Sequence, residues 1–187
     1  MKVLIAYEFS GRVRKAFEDR GHEAHSIDII DSEIPGDHHI VFDIMEPDTR
    51  RWIKKEKFDL LIAHPPCTYT ATSGNKWYSN TEERQQGLKD FMYWDKFRFI
   101  KKRCIEHPVS IVSTQYRPAT QWIQPYEFGD SLQKKTGLWL TNLPPLKPTK
   151  IIEPTRFIDD IRGGYKRKLE RSKTPIGIAQ AMAEQWG

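Results

Sequence analysis

Cysteine is scarce in this 187-residue chain: Cys67 and Cys104 are the only two, too few for a disulfide framework. Long apolar runs are missing as well. Nothing approaches the roughly 20 residues of a membrane span. The N-terminal run Val3-Leu4-Ile5-Ala6 is too short for a secretory core and is interrupted by Glu8. A soluble cytoplasmic protein with reduced thiols and no membrane partner is therefore expected. Neither sign of charge dominates, since 30 Lys and Arg face 25 Asp and Glu for a formal charge of +5. That balance is compatible with a polyanionic partner without singling one out. There is no internal repeat and no low-complexity linker. A chain of this length fits one domain that buries roughly 70% of its unfolded surface.

What is present is an alternation of apolar runs with helical patterns. Val3–Tyr7 reads as a buried strand, and Gly11 with Val13, Ala16 and Phe17 as a helix ending at Gly21. Further strand candidates are 25–30, 40–44, 59–63 and 104–109, with helices over 49–55 and 81–102. Strands alternating with helices predict an α/β fold, a mostly parallel sheet with helices on both faces. After Pro118 the pattern turns to short extended pieces, notably 136–140 and 151–152, read as a terminal hairpin region. Thr174-Pro175 then opens a last, alanine-containing helix.

The most informative local feature is Pro65-Pro66-Cys67, directly after the run 60–63. Two prolines fix φ and supply no N–H donors, so the thiol is held at a defined point beyond a strand end. Ligands of open α/β sheets bind at such carboxyl ends. The competing reading is a small buried residue behind a proline turn, the usual setting of a free cysteine.

In order and spacing, these short motifs resemble the cytosine C5 DNA methyltransferases. Phe9-Ser10-Gly11 is similar to their Phe-x-Gly-x-Gly-Gly motif, although Arg12 and Val13 follow where the family has more glycine. Asp28 falls where the family carries its ribose-binding acid, and Phe42-Asp43-Ile44 looks like the segment near the adenine. His64-Pro65-Pro66-Cys67 resembles the Gly-Pro-Pro-Cys nucleophile motif, and Ser73-Gly74 with Arg84 and Leu88 resembles the catalytic loop and following helix. Ile105-Glu106-His107 is similar to the Glu-Asn-Val motif, 39 positions beyond Cys67. The nearest counterpart of Gln-x-Arg-x-Arg is Gln133-Lys134-Lys135.

The resemblance implies a Rossmann-like class I methyltransferase fold in one domain over 1–187. Within it, 1–110 is the cofactor-binding and catalytic core, 111–173 a reduced, irregular substrate side, and 174–187 the closing helix. It also implies S-adenosylmethionine as cofactor, held by Phe9, Ser10, Gly11, Asp28, Asp43 and Pro65. The catalytic pair is Cys67 and Glu106, and Ser73, Asn75 and Lys135 face the substrate. The substrate it implies is cytosine in nucleic acid, DNA before RNA, as a single strand or a flipped base. A full target-recognition insert is missing, as in short methyltransferase-like proteins of phage, so a protein partner that supplies recognition fits the pattern. A methyltransferase of free pyrimidine nucleotides, or an idle nucleic-acid-binding or inhibitory protein, fits the same residues.

The chemistry explains the residue types. Cytosine C5 becomes nucleophilic only after something adds to C6, and a thiolate does this well. A free cysteine titrates near about 8.5, so Cys67 needs a cationic neighbour, for which His64 is a candidate. Negative charge then grows toward N3, where Glu106 is suited. Its neighbours Ile105, Pro108 and Val109 predict an apolar setting that raises its pKa and keeps a proton available. The turn at Ser10-Gly11 would offer backbone N–H groups to the cofactor carboxylate. His64, Cys67, Cys104 and His107 would make a Cys2His2 set, but an extended 104–107 points Cys104 and His107 to opposite faces, so no metal is expected. His38-His39 reads as a solvated pair. The segment 162–173 concentrates basic residues, including Lys166, Arg167 and Lys168, and reads as a mobile loop or a phosphate-contacting arm.

Overall fold

The computed structural model describes residues 1–158 and 164–187, the side chain of Lys166 excepted. The strands are β1 (Lys2–Ala6), β2 (Glu23–Asp28), β3 (His39–Val41), β4 (Leu60–Ala63), β5 (Lys102–Pro108), β6 (Gln121–Ile123), β7 (Leu132–Gln133), β8 (Thr136–Thr141) and β9 (Arg156–Phe157). The helices are α1 (Arg12–Glu18), α2 (Pro47–Lys55), α3 (Asn75–Tyr78), α4 (Glu82–Asp95), α5 (Val112–Gln115), α6 (Gly164–Ser172) and α7 (Ile176–Trp186).

Seven strands form one sheet in the order β3-β2-β1-β4-β5-β8-β6. β1 to β5 run parallel, while β8 is antiparallel to both β5 and β6. In the central strand β4 every residue is buried, and in β1 all but Lys2 are, because helices cover both faces. One face packs Val3, Ile5, Leu60, Ile62 and Cys104 against α1 and α7 through Val13, Phe17 and Met182. The other packs Leu4, Leu61 and Ile105 against Ile53 of α2 and Phe91 and Trp94 of α4. β8 alternates across the two cores, with Leu138 and Leu140 on the first face and Trp139 on the second.

Several boundaries differ from the sequence expectation. The helix expected over 81–102 stops at Asp95, whose carbonyl oxygen accepts Arg103 Nε and Nη2 at 3.2 and 2.9 Å. This caps α4 and frees 102–108 to pair with β4. The strand expected over 40–44 ends at Val41, because Asp43 turns the chain by accepting the Met45 amide at 2.8 Å. His39 is structural rather than solvated: its Nδ1 lies 2.8 Å from Ser26 Oγ and its Nε2 2.9 Å from the Ile30 carbonyl. The piece 151–152 forms no strand. In the basic segment, 164–172 is the helix α6 rather than a loop, while Arg162 and Gly163 lie outside the described residues.

Candidate active site at the carboxyl edge of the sheet

β4 ends at Ala63, and the His64 amide still bonds the Ala6 carbonyl at 3.0 Å, so the Pro-Pro turn leaves from a fixed strand end. Pro65 is buried and Pro66 exposed. The Cys67 carbonyl accepts the amides of Thr70 at 3.1 Å and Ala71 at 2.9 Å, closing a tight turn. Thr70 Oγ1 then sits 2.7 Å from His107 Nε2 in β5. His107 is packed against Phe91 and Trp139, and burial lowers its pKa to about 4, so it is a neutral peg that ties the cysteine turn to the neighbouring strand. Cys67 is half-buried. Burial pushes its thiol up, Lys134 works in the opposite direction, and the Glu106 carboxylate adds to the rise.

Glu106, near the end of the adjacent strand β5, overturns the expected apolar setting. His64 Nδ1 lies 2.9 Å from its Oε2, Lys134 Nζ 4.0 Å from its Oε1, and Thr174 Oγ1 donates to Oε2 at 3.3 Å. Burial alone would raise this carboxyl, but the charge and hydrogen bond of His64, with Lys134 and Thr174, outweigh it and bring the pKa to about 2. Glu106 is thus a carboxylate, not a resident acid. The alternating strand made Ile105 and Pro108 look like its neighbours, whereas the groups that decide its charge come from other elements. His64, expected to assist Cys67, pairs with Glu106 instead, and its Nε2 is buried without a partner among the described residues.

The turn after β1 also departs from expectation. Tyr7 has a left-handed backbone (φ 59°), which swings Glu8 toward the start of α1. Its carboxylate accepts the amide of Val13 at 2.6 Å, the amide of Arg14 at 3.3 Å and the hydroxyl of Ser10 at 3.3 Å. The N–H groups expected to hold the cofactor carboxylate are therefore taken by a side chain of this protein. Gly11 is required at its position twice over: φ is 69°, and a Cβ would lie 2.8 Å from both Ile34 Cβ and Ser32 Oγ. Phe9 is buried rather than presented to a ligand.

Asp28 closes β2 and Asp43 follows β3, the paired neighbouring strands, so both stand at the carboxyl edge, β2 next to β1 and β3 one strand further out. Asp28 Oδ1 accepts the amides of Ile29 at 2.7 Å and Ile30 at 3.4 Å, and burial pushes its carboxyl up. Beside them Ile29 and Phe42 are exposed, so the adenosine part of S-adenosylmethionine fits here, with carboxylates for hydroxyls and apolar faces for a purine. The amino-acid end does not fit as the structure stands. The space between Tyr7, Glu8, Phe9, Ser10, His64, Ser172 and Thr174 measures about 10 Å³, room for one water.

Among the substrate candidates, Ser73 and Asn75 are exposed in the turn and short helix beyond Cys67, and Arg84 of α4 donates to Asn75 Oδ1 at 2.5 Å. Lys135 is not at the centre: its Nζ lies over the Trp122 ring, 5.1 Å from the centroid, while its neighbour Lys134 approaches Glu106. Sequence reasoning missed the roles of Lys134, Glu8 and Thr174. Parity along an extended segment could have separated Lys134 from Lys135; nothing local marks Glu8 or Thr174. β5 is extended over 102–108, with Cys104 in the α1/α7 core and His107 on the opposite face. Among the described residues no three His, Cys, Asp or Glu side chains are grouped to hold a metal ion.

No protein-family model matches this chain, and no curated protein does. Solved structures do. A protein described as a DNA modification methyltransferase encoded within a prophage of E. coli superposes with a TM-score of 0.57 at 12% identity, covering 86% of this chain and 54% of that one. The Entamoeba histolytica methyltransferase EhMeth (TM-score 0.49, 12% identity, 88% and 60% covered) and S. pombe Dnmt2 methyltransferase (0.49, 14%, 86% and 53%) are also similar. The chain spans about half to three-fifths of the length of these proteins. The seven-stranded sheet and the likeness to the prophage protein define the architecture as the Rossmann-like class I methyltransferase fold.

Proposed function

We propose that this chain is an S-adenosylmethionine-dependent methyltransferase of cytosine C5 in nucleic acid, with Cys67 as the nucleophile. The observation that carries the reading is that Cys67 follows the end of β4 while Glu106 lies near the end of the adjacent strand β5, with Lys134 Nζ 4.0 Å from Glu106 Oε1. Lys134 is the cation that favours the Cys67 thiolate. The thiolate adds to C6, an S–C6 bond forms, and the π electrons of C5=C6 move toward C5 and N3. Glu106, an acceptor, takes a hydrogen bond from the exocyclic amine and orients the base. The proton for N3 is drawn through the His64–Glu106 contact, where Nδ1 and Oε2 lie 2.9 Å apart. Asp28 and Asp43 hold the adenosine part of the cofactor, which when bound supplies an electrophilic methyl group. With the methyl group bonded to C5, a water takes the C5 proton, the C5=C6 bond re-forms as S–C6 breaks, Cys67 leaves as the thiolate it began as, and the N3 proton returns to the His64–Glu106 contact. Exposed Trp77, with Lys76 Nζ 5.5 Å from its ring centroid, offers a stacking face in the helix that follows the cysteine turn.

Covalent trapping tests the reading. With 5-fluorocytosine in a single-stranded oligonucleotide and S-adenosylmethionine present, fluorine at C5 cannot leave as the proton does, so a stable adduct should accumulate. Cys67→Ser should abolish it while cofactor affinity is kept. An adduct that survives Cys67→Ser would remove the thiol from the mechanism.

One specific observation favours a second reading, an idle nucleic-acid-binding protein that retains the fold. The Glu8 side chain already caps α1, and the space beside it measures about 10 Å³, room for no more than one water. Calorimetric titration with S-adenosylmethionine separates the two, since the idle protein should give no binding heat.

A further inference from the structure

A second feature lies at the opposite edge of the sheet. α2 ends at Lys55 just before β4, and α4 ends at Asp95 just before β5, so the chain that follows both helices runs along the amino ends of the parallel strands. Cys67 and Glu106 are at the carboxyl ends. At the amino edge an open groove of about 570 Å³ is lined chiefly by Lys54, Tyr93, Lys96, Phe97, Arg98 and Phe99.

Its chemistry is alternately aromatic and cationic. Tyr93, Phe97 and Phe99 form a continuous row, with ring centroids 5.6 and 5.4 Å apart. Phe99 is 64% exposed, so most of its ring stays open beside its contact with Phe97. Lys54 Nζ stands 4.6 Å from the centre of the Phe99 ring, and the Arg50 guanidinium 5.6 Å from that of Tyr93. Among the described residues, none of Lys54, Lys96 and Arg98 forms an ion pair with a carboxylate. The acids nearest in sequence are engaged elsewhere: Asp95 with Arg117 and Tyr116, Asp48 with Arg51, and Glu56 with Lys2.

We infer that this groove binds single-stranded nucleic acid, with an unpaired base on Phe99 and phosphates on Lys54, Lys96 and Arg98. A stacking platform edged by unpaired cations is what a strand with π-faced bases and one charge per nucleotide requires. An acidic peptide would satisfy the cations and leave the open ring of Phe99 without a partner. The inference is independent of the chemistry at Cys67, and it gives a chain with little recognition surface beside its site a second hold on the strand.

The test is fluorescence anisotropy with a labelled single-stranded oligodeoxynucleotide of about twelve residues, within the size that such grooves cover. Phe99→Ala should weaken binding about tenfold, the lower part of the range for losing one stacked base. Lys54→Gln, Lys96→Gln and Arg98→Gln together should lower the slope of log affinity against log salt by about 2. Phe99 is exposed and the three cations lie at the surface, so thermal stability should not change, which keeps folding out of the result. The anisotropy is read without S-adenosylmethionine, so it does not depend on methyl transfer, and a failed reading of the Cys67 site and a failed groove are told apart. Unchanged affinity in Phe99→Ala together with an unchanged slope in the triple variant would overturn the inference. So would Phe99→Ala losing affinity for vesicles of anionic lipid while its oligonucleotide affinity stays as in the parent.

Discussion

Replacing Glu106 by glutamine keeps the shape of the side chain and removes its charge, and the outcome depends on pH in a direction the structure fixes. The carboxyl falls from an ordinary 4.5 to about 2 beside His64 and Lys134. At roughly 1.4 kcal/mol per unit, the ionised form stabilises the native state by about 3 kcal/mol. A depressed carboxyl contributes that stability in full above the unfolded value and loses it as pH falls through the folded one. Between about pH 5 and 6, above the ordinary carboxyl value, Glu106→Gln should therefore be about 3 kcal/mol less stable than the parent. In a domain of this size that is roughly 6–12 °C in Tm. Below pH 4.5 the gap should narrow steadily and vanish near pH 2. Urea unfolding followed by tryptophan fluorescence, run on both proteins from pH 6 down to 2.5, gives the gap directly. A gap that widens as pH falls would mean a carboxyl raised above 4.5, the protonated acid that the sequence suggested. A gap independent of pH would leave His64 and Glu106 as packing partners only.

Two further outcomes probe the scaffold that carries the site. Arg14 is buried, with Nε donating to Ser26 Oγ at 3.1 Å, Nη1 to Glu18 at 3.0 Å and Nη2 to the Ile34 carbonyl at 2.5 Å. Arg14→Met should cost about 3–5 kcal/mol in urea unfolding and speed hydrogen exchange in 32–36, and unaltered exchange there would contradict its role as the pin of that loop. Gly177, at the start of α7, would carry a Cβ 1.8 Å from the Phe128 carbonyl oxygen, so Gly177→Ala should lower stability by about 1–3 kcal/mol, and a neutral result would show that α7 can slide outward.

Much of the fold was legible because its signals are local. The runs 3–6 and 60–63 are apolar throughout, as strands covered on both faces must be, and Pro175 opens the last helix as expected, while α1 stops at Glu18, three residues before Gly21. The helix over 81–102 read too long because 96–101 keeps the apolar pattern of α4. What ends α4 is Arg103, a residue of the next strand. In the site, the proline turn and the residue types at 67 and 106 could be read directly. The ionisation of Glu106 could not, since it is set by His64, Lys134 and Thr174, which come from three distant parts of the chain. Glu8 was equally hidden: a carboxylate beside a helix start looks like any other until the left-handed turn at Tyr7 aims it at the Val13 amide.

The central claim is most directly tested by incubating the protein with a cytosine-containing single-stranded oligonucleotide and S-adenosylmethionine, then digesting the strand to nucleosides for mass spectrometry. The account predicts 5-methylcytosine with the parent protein, none with Cys67→Ser, and a reduced amount with Glu106→Gln. A methyl group on the exocyclic nitrogen, or 5-methylcytosine undiminished in Cys67→Ser, would contradict it.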